Sequence, residues 1–181
     1  MKLKGLYRAV VILVILALNI SCDQVSKSIV RKKMSYDEPI SFIQNHFTLI
    51  KIENTGAFLS VGDTLANPYR FILLTLLPVI SLLAGTIFML TQKNFSKLIL
   101  GGLICVIGGG IGNIYDRIAH GSVTDFMHIR FGIFQTGIFN VADVSIMVGI
   151  GLILLDAIVK KMEEKKLQQQ TEPPTETANA E

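Results

Sequence analysis

Long apolar runs alternate with polar stretches along the chain, and four of the runs approach bilayer length. The clearest covers residues 71–90, with no charge and a single proline, Pro78. At ~1.5 Å rise per residue it reaches across a ~30 Å hydrocarbon layer. A proline is tolerated there because neighbouring helices can satisfy the carbonyl it frees. Residues 98–115 form a second uncharged run, rich in glycine. Residues 141–159 form a third, which contains Asp143 and Asp156, and residues 5–22 complete a fourth if Arg8 snorkels. The pattern predicts four transmembrane helices.

The polar stretches differ in character. In the segment 22–70, residues 47–52 alternate like a strand and lead into the turn signal Asn54-Thr55-Gly56. Residues 91–97 make a short loop. A second long segment, 117–140, has strand-like stretches at 125–131 and 133–139. Beyond Lys160 a charged helical continuation is expected, and from Gln168 a Gln-, Thr-, Glu- and Pro-rich disordered tail. The expected organisation is one membrane domain, residues 1–167, and a cytoplasmic tail, residues 168–181. Nine lysines and arginines fall in the short stretches 2–8, 93–97 and 160–166, and eight are spread over the longer segments 22–70 and 117–140. The higher density near the span ends favours both termini in the cytoplasm, with Arg31-Lys32-Lys33 standing against it.

The start of the chain also resembles a lipoprotein signal: basic residues, an apolar centre, then Ser21-Cys22. Asn19 stands where such signals carry leucine, and three more spans follow. An uncleaved first helix ending at Cys22 is the better reading.

Composition sharpens the class. Half of the residues are hydrophobic, only 17% are charged, and the mean hydropathy is +0.52. Soluble domains carry nearer ~25% charged residues, so an independent soluble enzyme is disfavoured. The net charge of +3 is too small to suggest a nucleic-acid partner. Cys22 and Cys105 sit in or beside apolar runs and indicate no disulfide framework.

The candidate chemistry lies at one membrane face. Asp23, Gln24 and Lys27 follow the first span, and Asn54 lies in the first outer segment. Asn113, Asp116 and Arg117 end the third span; Asp125 lies in the second outer segment; Asn140 and Asp143 open the fourth span. Asn113, Asp116 and Arg117 share one helical face by spacing, as do Asn140 and Asp143. Gly108 and Gly112 form a small-xxx-small pair, expected to let the fourth span approach and join the two clusters. Asp125 and Asp143 are separated by seventeen residues, enough for a hairpin that returns one to the other. Two carboxylates held close share a proton, so one can activate water while the other protonates a peptide carbonyl.

Plainer readings stand beside each element. Asp116 with Arg117 fits a structural ion pair, and Asp23 with Lys27 fits a cap on the first span as well as a site. Asn54 fits a simple turn. Asp156 with Lys160 fits an interfacial pair. His46, His120 and His128 lack metal-ligand spacing, so no metal is expected. Ser41, Ser60 and Ser122 stand in no nucleophile arrangement. A proton-coupled carrier would need ionisable groups through the membrane depth, whereas Asp143 and Asp156 stand at opposite ends of their span.

Five ordered stretches then resemble the lipoprotein signal peptidase (signal peptidase II) family. They are Asp-Gln-Val-Ser-Lys (23–27), Glu-Asn-Thr-Gly-Ala-Phe (53–58), Gly-Gly-Gly-Ile-Gly-Asn-Ile-Tyr-Asp-Arg (108–117), Val-Thr-Asp-Phe (123–126) and Phe-Asn-Val-Ala-Asp (139–143). The resemblance runs from about Lys4 to Lys161. It implies an all-α membrane protein with four transmembrane helices, a small extracytoplasmic β-rich cradle and a mobile cover. It implies an aspartic endopeptidase, without cofactor, whose catalytic pair is Asp125 and Asp143. Asp23, Lys27, Asn54, Gly56, Asn113, Asp116, Arg117 and Asn140 would bind substrate or support the site. The implied substrate is a diacylglyceryl-modified prolipoprotein, cut on the amino side of its lipidated cysteine at the outer face of the cytoplasmic membrane. A monomer among membrane lipids is expected.

Overall fold

The computed structural model describes residues 2–57 and 62–171. Four long helices carry the chain: α1 (Lys2–Lys33), α2 (Tyr69–Thr91), α3 (Lys97–His120) and α4 (Val141–Thr171). Each holds a window long and apolar enough to cross a membrane. Large apolar side chains such as Leu13, Leu83, Met147 and Leu154 turn outward from the bundle. Lipid is the solvent such a surface fits, and the chain is a multi-pass membrane protein.

The helices overrun the apolar runs that predicted them. The first was expected to end at Cys22, and it continues to Lys33. Residues 23–33 contain neither glycine nor proline, and they place Asp23, Lys27 and Arg31 on one face, where α3 satisfies them. At the other end of α1, Arg8 donates to the carbonyl oxygens of Met89, Leu90 and Gln92, which caps the last turn of α2. Pro78 leaves the Leu74 carbonyl without its usual amide donor, and α2 widens into a π-helical turn over Ile72–Leu76 just before it. Helix α4 continues through Thr171; of the tail expected to be disordered, residues 172–181 lie outside the described residues, as do Phe58 and Ser60.

Helix α3 is central, with α1, α2 and α4 all packed against it. Its contact with α4 is backbone to backbone. A Cβ on Gly102 would lie 2.7 Å from the Gly149 oxygen, and one on Gly149 would lie 2.6 Å from the Gly102 oxygen. Gly108 and Gly112 work differently from expectation. They chiefly admit α1 rather than α4: a Cβ would stand 2.9 Å from Asn19 Cγ at the first and 2.5 Å from Asp23 Oδ2 at the second. Towards the end of the bundle remote from the sheet, Ile12, Leu16, Met89, Ile104 and Ile107 form the apolar core.

The segments that join α1 to α2 and α3 to α4 form the expected small antiparallel sheet, in the order β1 (Ile40–Phe42), β2 (Phe47–Asn54), β3 (Val123–Phe131), β4 (Phe134–Gln135). Ile52 lies opposite Asp125 and Glu53 opposite Thr124, after a register shift between Leu49 and Ile52. The strand expected over 133–139 is only two residues long. Thr136 Oγ1 takes the Ile129 amide, so a side chain replaces the ladder there. The chain then rejoins β3 through a bridge between Phe139 and Met127. That return sets Asn140 and the start of α4 beside Asp125.

Candidate active site

Asp125 sits on β3 with 4% of its surface exposed. Its Oδ2 accepts from Asn54 Nδ2 at 2.9 Å and its Oδ1 from Asn140 Nδ2 at 2.6 Å. Asp143 lies in the first turn of α4. Its Oδ1 accepts from Asn113 Nδ2 at 2.9 Å and its Oδ2 from the Asn140 amide at 3.0 Å. The Asp143 amide in turn donates to Asn140 Oδ1 at 3.0 Å. This reciprocal cap is why Asn-x-x-Asp opens the helix: each side chain satisfies an amide that the first turn leaves unpaired. The cap also leaves the Asn140 amide nitrogen free to reach Asp125. One asparagine thereby ties the two aspartates together.

Both aspartates line a cavity of about 40 Å³ with Asn54, Ala57, Asn113, Arg117, Val123 and Ile138. That is room for one water, whose share of liquid volume is about 30 Å³. An apolar groove of about 500 Å³ adjoins it, reaching Asp143, Asn113 and Arg117 past Pro78, Leu82, Val106, Ile146 and Ile150. Burial pushes the Asp125 carboxyl up to about 6, and the charge of Asp143 acts in the same direction. The hydrogen bonds from Asn54 and Asn140 oppose them.

Behind the cavity is a buried charge network. Lys27 Nζ lies 2.8 Å from Asp23 Oδ2, 3.0 Å from Asp116 Oδ2 and 2.8 Å from Asn113 Oδ1, and Lys27, Asp23 and Asp116 have no exposed surface. Three donors meet three acceptors, so the ammonium is satisfied without water. Because Lys27 takes the Asn113 oxygen, the amide nitrogen of Asn113 must face Asp143. Asp23 Oδ1 also accepts the Ala142 amide at 2.9 Å, anchoring the start of α4 to α1.

The structure divides the cluster that spacing had grouped on α3. Asn113 and Arg117 face the cavity, and Asp116 turns to α1. The expected Asp116–Arg117 ion pair does not form; Asp116 instead pairs with Lys27 and, at 2.7 Å, with Arg31. Arg117 donates to the Gly56 oxygen at 2.8 Å, and its buried Nε has no partner among the described residues. Gly56 donates its amide to Asn54 Oδ1, so the Asn-x-Gly turn is both a turn and a mount for the Asn54 amide. Sequence reasoning passed over Arg31, Thr124 and Glu53. Arg31 Nε donates to Thr124 Oγ1 at 2.7 Å, and Glu53 accepts from Thr124 and Ser122. The available signal was that Asp23, Lys27 and Arg31 recur every four residues.

Known proteins resemble the chain in sequence and in fold. A family model described as Signal peptidase (SPase) II matches residues 14–159. The chain belongs to the signal peptidase II family. It is 35% identical to a lipoprotein signal peptidase of Methylocella silvestris over 146 residues, covering 78% of this chain and 82% of that one. It is 36% identical to that of Streptococcus pneumoniae over 155 residues, covering 85% and 95%. In fold it resembles a bacterial membrane enzyme solved by the in meso method at 2.3 Å resolution, with a TM-score of 0.72 and 24% identity over 86% of this chain and 91% of that one. As a member of the signal peptidase II family, the chain is an aspartic endopeptidase of lipoprotein processing, and removing signal peptides from prolipoproteins is its activity.

Proposed function

We propose that Asp125 and Asp143 are the catalytic pair of this peptidase. They would cut a diacylglyceryl-modified prolipoprotein on the amino side of its lipidated cysteine. The observation that carries the reading is that both carboxylates line one water-sized cavity, joined through Asn140, beside an apolar groove. Asp143 takes a proton from the water, whose oxygen bonds to the scissile carbonyl carbon. Asp125, holding the shared proton, gives it to the carbonyl oxygen. The proton on Asp143 then passes to the amide nitrogen, the carbon–nitrogen bond breaks, and Asp125 recovers a proton from the collapsing diol. Asp125 is assigned the shared proton because burial already lifts it to about 6, and a substrate that displaces water lifts it further.

Asn54, Asn113 and Asn140 hold the two carboxylates, and Gly56 and Arg117 hold the adjoining turn. Asp23, Lys27 and Asp116 form the frame behind Asn113. The chain works as a monomeric domain, residues 1–167, in the bacterial cytoplasmic membrane, among membrane lipids, with both termini inside and the site at the outer face. The density of lysine and arginine at 2–8, 93–97 and 160–166 supports that orientation. Purified protein is tested on a precursor peptide with and without diacylglycerol on its cysteine, in the presence and absence of EDTA. Cleavage of the lipidated peptide alone, unaffected by EDTA, is expected. Equal cleavage of the unmodified peptide, or loss of activity restored by a divalent ion, overturns the proposal.

A further inference from the structure

A second cleft, of about 500 Å³, opens between α1 and α3 and shares no lining residue with the cavity or the groove beside the aspartates. Both helices run in the same direction there, and the walls change character along them. Towards the helix C-terminal ends stand Arg31 and Lys32 of α1 and His120 of α3; below them lie Ser28, Val25 and Tyr115. From Ser21 to Lys32 the cleft is about 16 Å tall at 1.5 Å per residue. Its rim is therefore cationic, and its floor mixes the polar Ser21, Gln24 and Ser28 with Val25 and Tyr115 and opens beside the exposed Val25, Ile29 and Ile118.

No carboxylate lines the cleft. Arg31 spends part of its charge on Asp116, 2.7 Å away, whereas Lys32 forms no salt bridge among the described residues. His120 Nε2 lies 3.0 Å from Arg31 Nη1. Arginine can only donate, so the imidazole nitrogen accepts and its hydrogen sits on Nδ1, available to a further acceptor. Two donors on a rim without carboxylates, above Val25 and Tyr115 and beside the exposed Ile29 and Ile118, match the order of groups in a phospholipid.

We propose that this cleft seats an anionic phospholipid, its phosphate on Lys32 and His120 and an acyl chain descending past Val25 and Tyr115. A volume of about 500 Å³ suits a headgroup with the glycerol ester region rather than a whole lipid. The lipid covers the α1–α3 seam where Gln24 and Arg31, which line the cleft, bond Asp116 of the Lys27 network. The site is independent of the proposed catalytic pair.

Native mass spectrometry of the full chain, equilibrated with phosphatidylglycerol or phosphatidylcholine of equal chain length, tests the seat. Phosphatidylglycerol is retained over phosphatidylcholine, and the double variant Lys32→Gln/His120→Gln retains at least about fivefold less of it. Val25→Trp, which fills the floor without changing charge, lowers retention of the same lipid. Thermal unfolding in the same detergent shows that both variants are folded. Glycerol 3-phosphate, the headgroup chemistry without chains, fails to compete. Equal retention of the two lipids, wild-type retention by both variants, or effective competition by glycerol 3-phosphate overturns the proposal.

Discussion

Two aspartate–lysine pairs, four residues apart on their helices, meet opposite fates. Asp23 and Lys27 on α1 approach to 2.8 Å, and Asp156 and Lys160 on α4 to 2.7 Å. The first pair is 0% exposed on both sides, whereas Lys160 is 58% exposed. Spacing is the same, so it cannot be the cause. At the end of the bundle beside the sheet Gly112 removes the side chain that would hold α3 away, and Asp116, Arg31 and Asn113 complete the shell around Lys27. At the opposite end of the bundle the Asp156 carboxylate meets, among the described residues, only Lys160 and the hydroxyl of Ser96, which caps α3, and Lys160 reaches solvent. One pair becomes the frame of a site. The other fastens a helix start.

The contrast can be broken in order of expected effect. Asp125→Asn and Asp143→Asn each lower cleavage of a lipidated precursor by about 10³-fold or more while the protein stays folded, because each removes one proton-transfer partner. Near-wild-type cleavage by either variant removes the pair from catalysis. Lys27→Met strands two buried carboxylates and costs about 3–5 kcal/mol, read as a lower unfolding midpoint, and cleavage falls because Asn113 loses its fixed orientation. Gly112→Ala brings a methyl to 2.5 Å from Asp23 Oδ2; a smaller loss of midpoint and activity is expected, without any change in charge.

The acid titration sharpens the same comparison. The Asp125 carboxyl is protonated below about pH 6 and ionised above, so the one-proton pair is lost as pH rises through that value in the free enzyme. Asp143→Asn removes a charge that raises it, and carbon NMR of labelled Asp125 is expected to show titration at lower pH. The smallest effect belongs to the pair on α4: Asp156→Asn shifts the unfolding midpoint less than Lys27→Met and leaves cleavage within about twofold of wild type, since a pair reaching solvent contributes little.

Much of this was legible in order along the chain. Four apolar runs became four helices, because burying backbone in lipid demands helix over that length. Asn140 and Asp143 were readable as partners because a reciprocal cap needs that spacing. Their link to Asp125 could only be suggested, since it depends on where the 133–139 segment rejoins β3. The segment does so through one bridge, Phe139 to Met127, rather than a full strand. The pairing of Asp116 was misread for a similar reason. A neighbour in sequence, Arg117, points about 100° away on a helix, whereas Lys27 and Arg31 arrive from another helix.

The linear order of residues determined the spans, the face on which polar groups gather and the local caps, all of which arise from interactions within a few residues or with the surrounding solvent. The tertiary structure alone decided which carboxylate meets which cation, which glycines admit which helix, and that Asn140 stands between the two aspartates. Contacts of this kind join segments far apart along the chain, 119 residues in the case of Asp23 and Ala142 and 126 in that of Asn19 and Ser145, and such separations have no period to read.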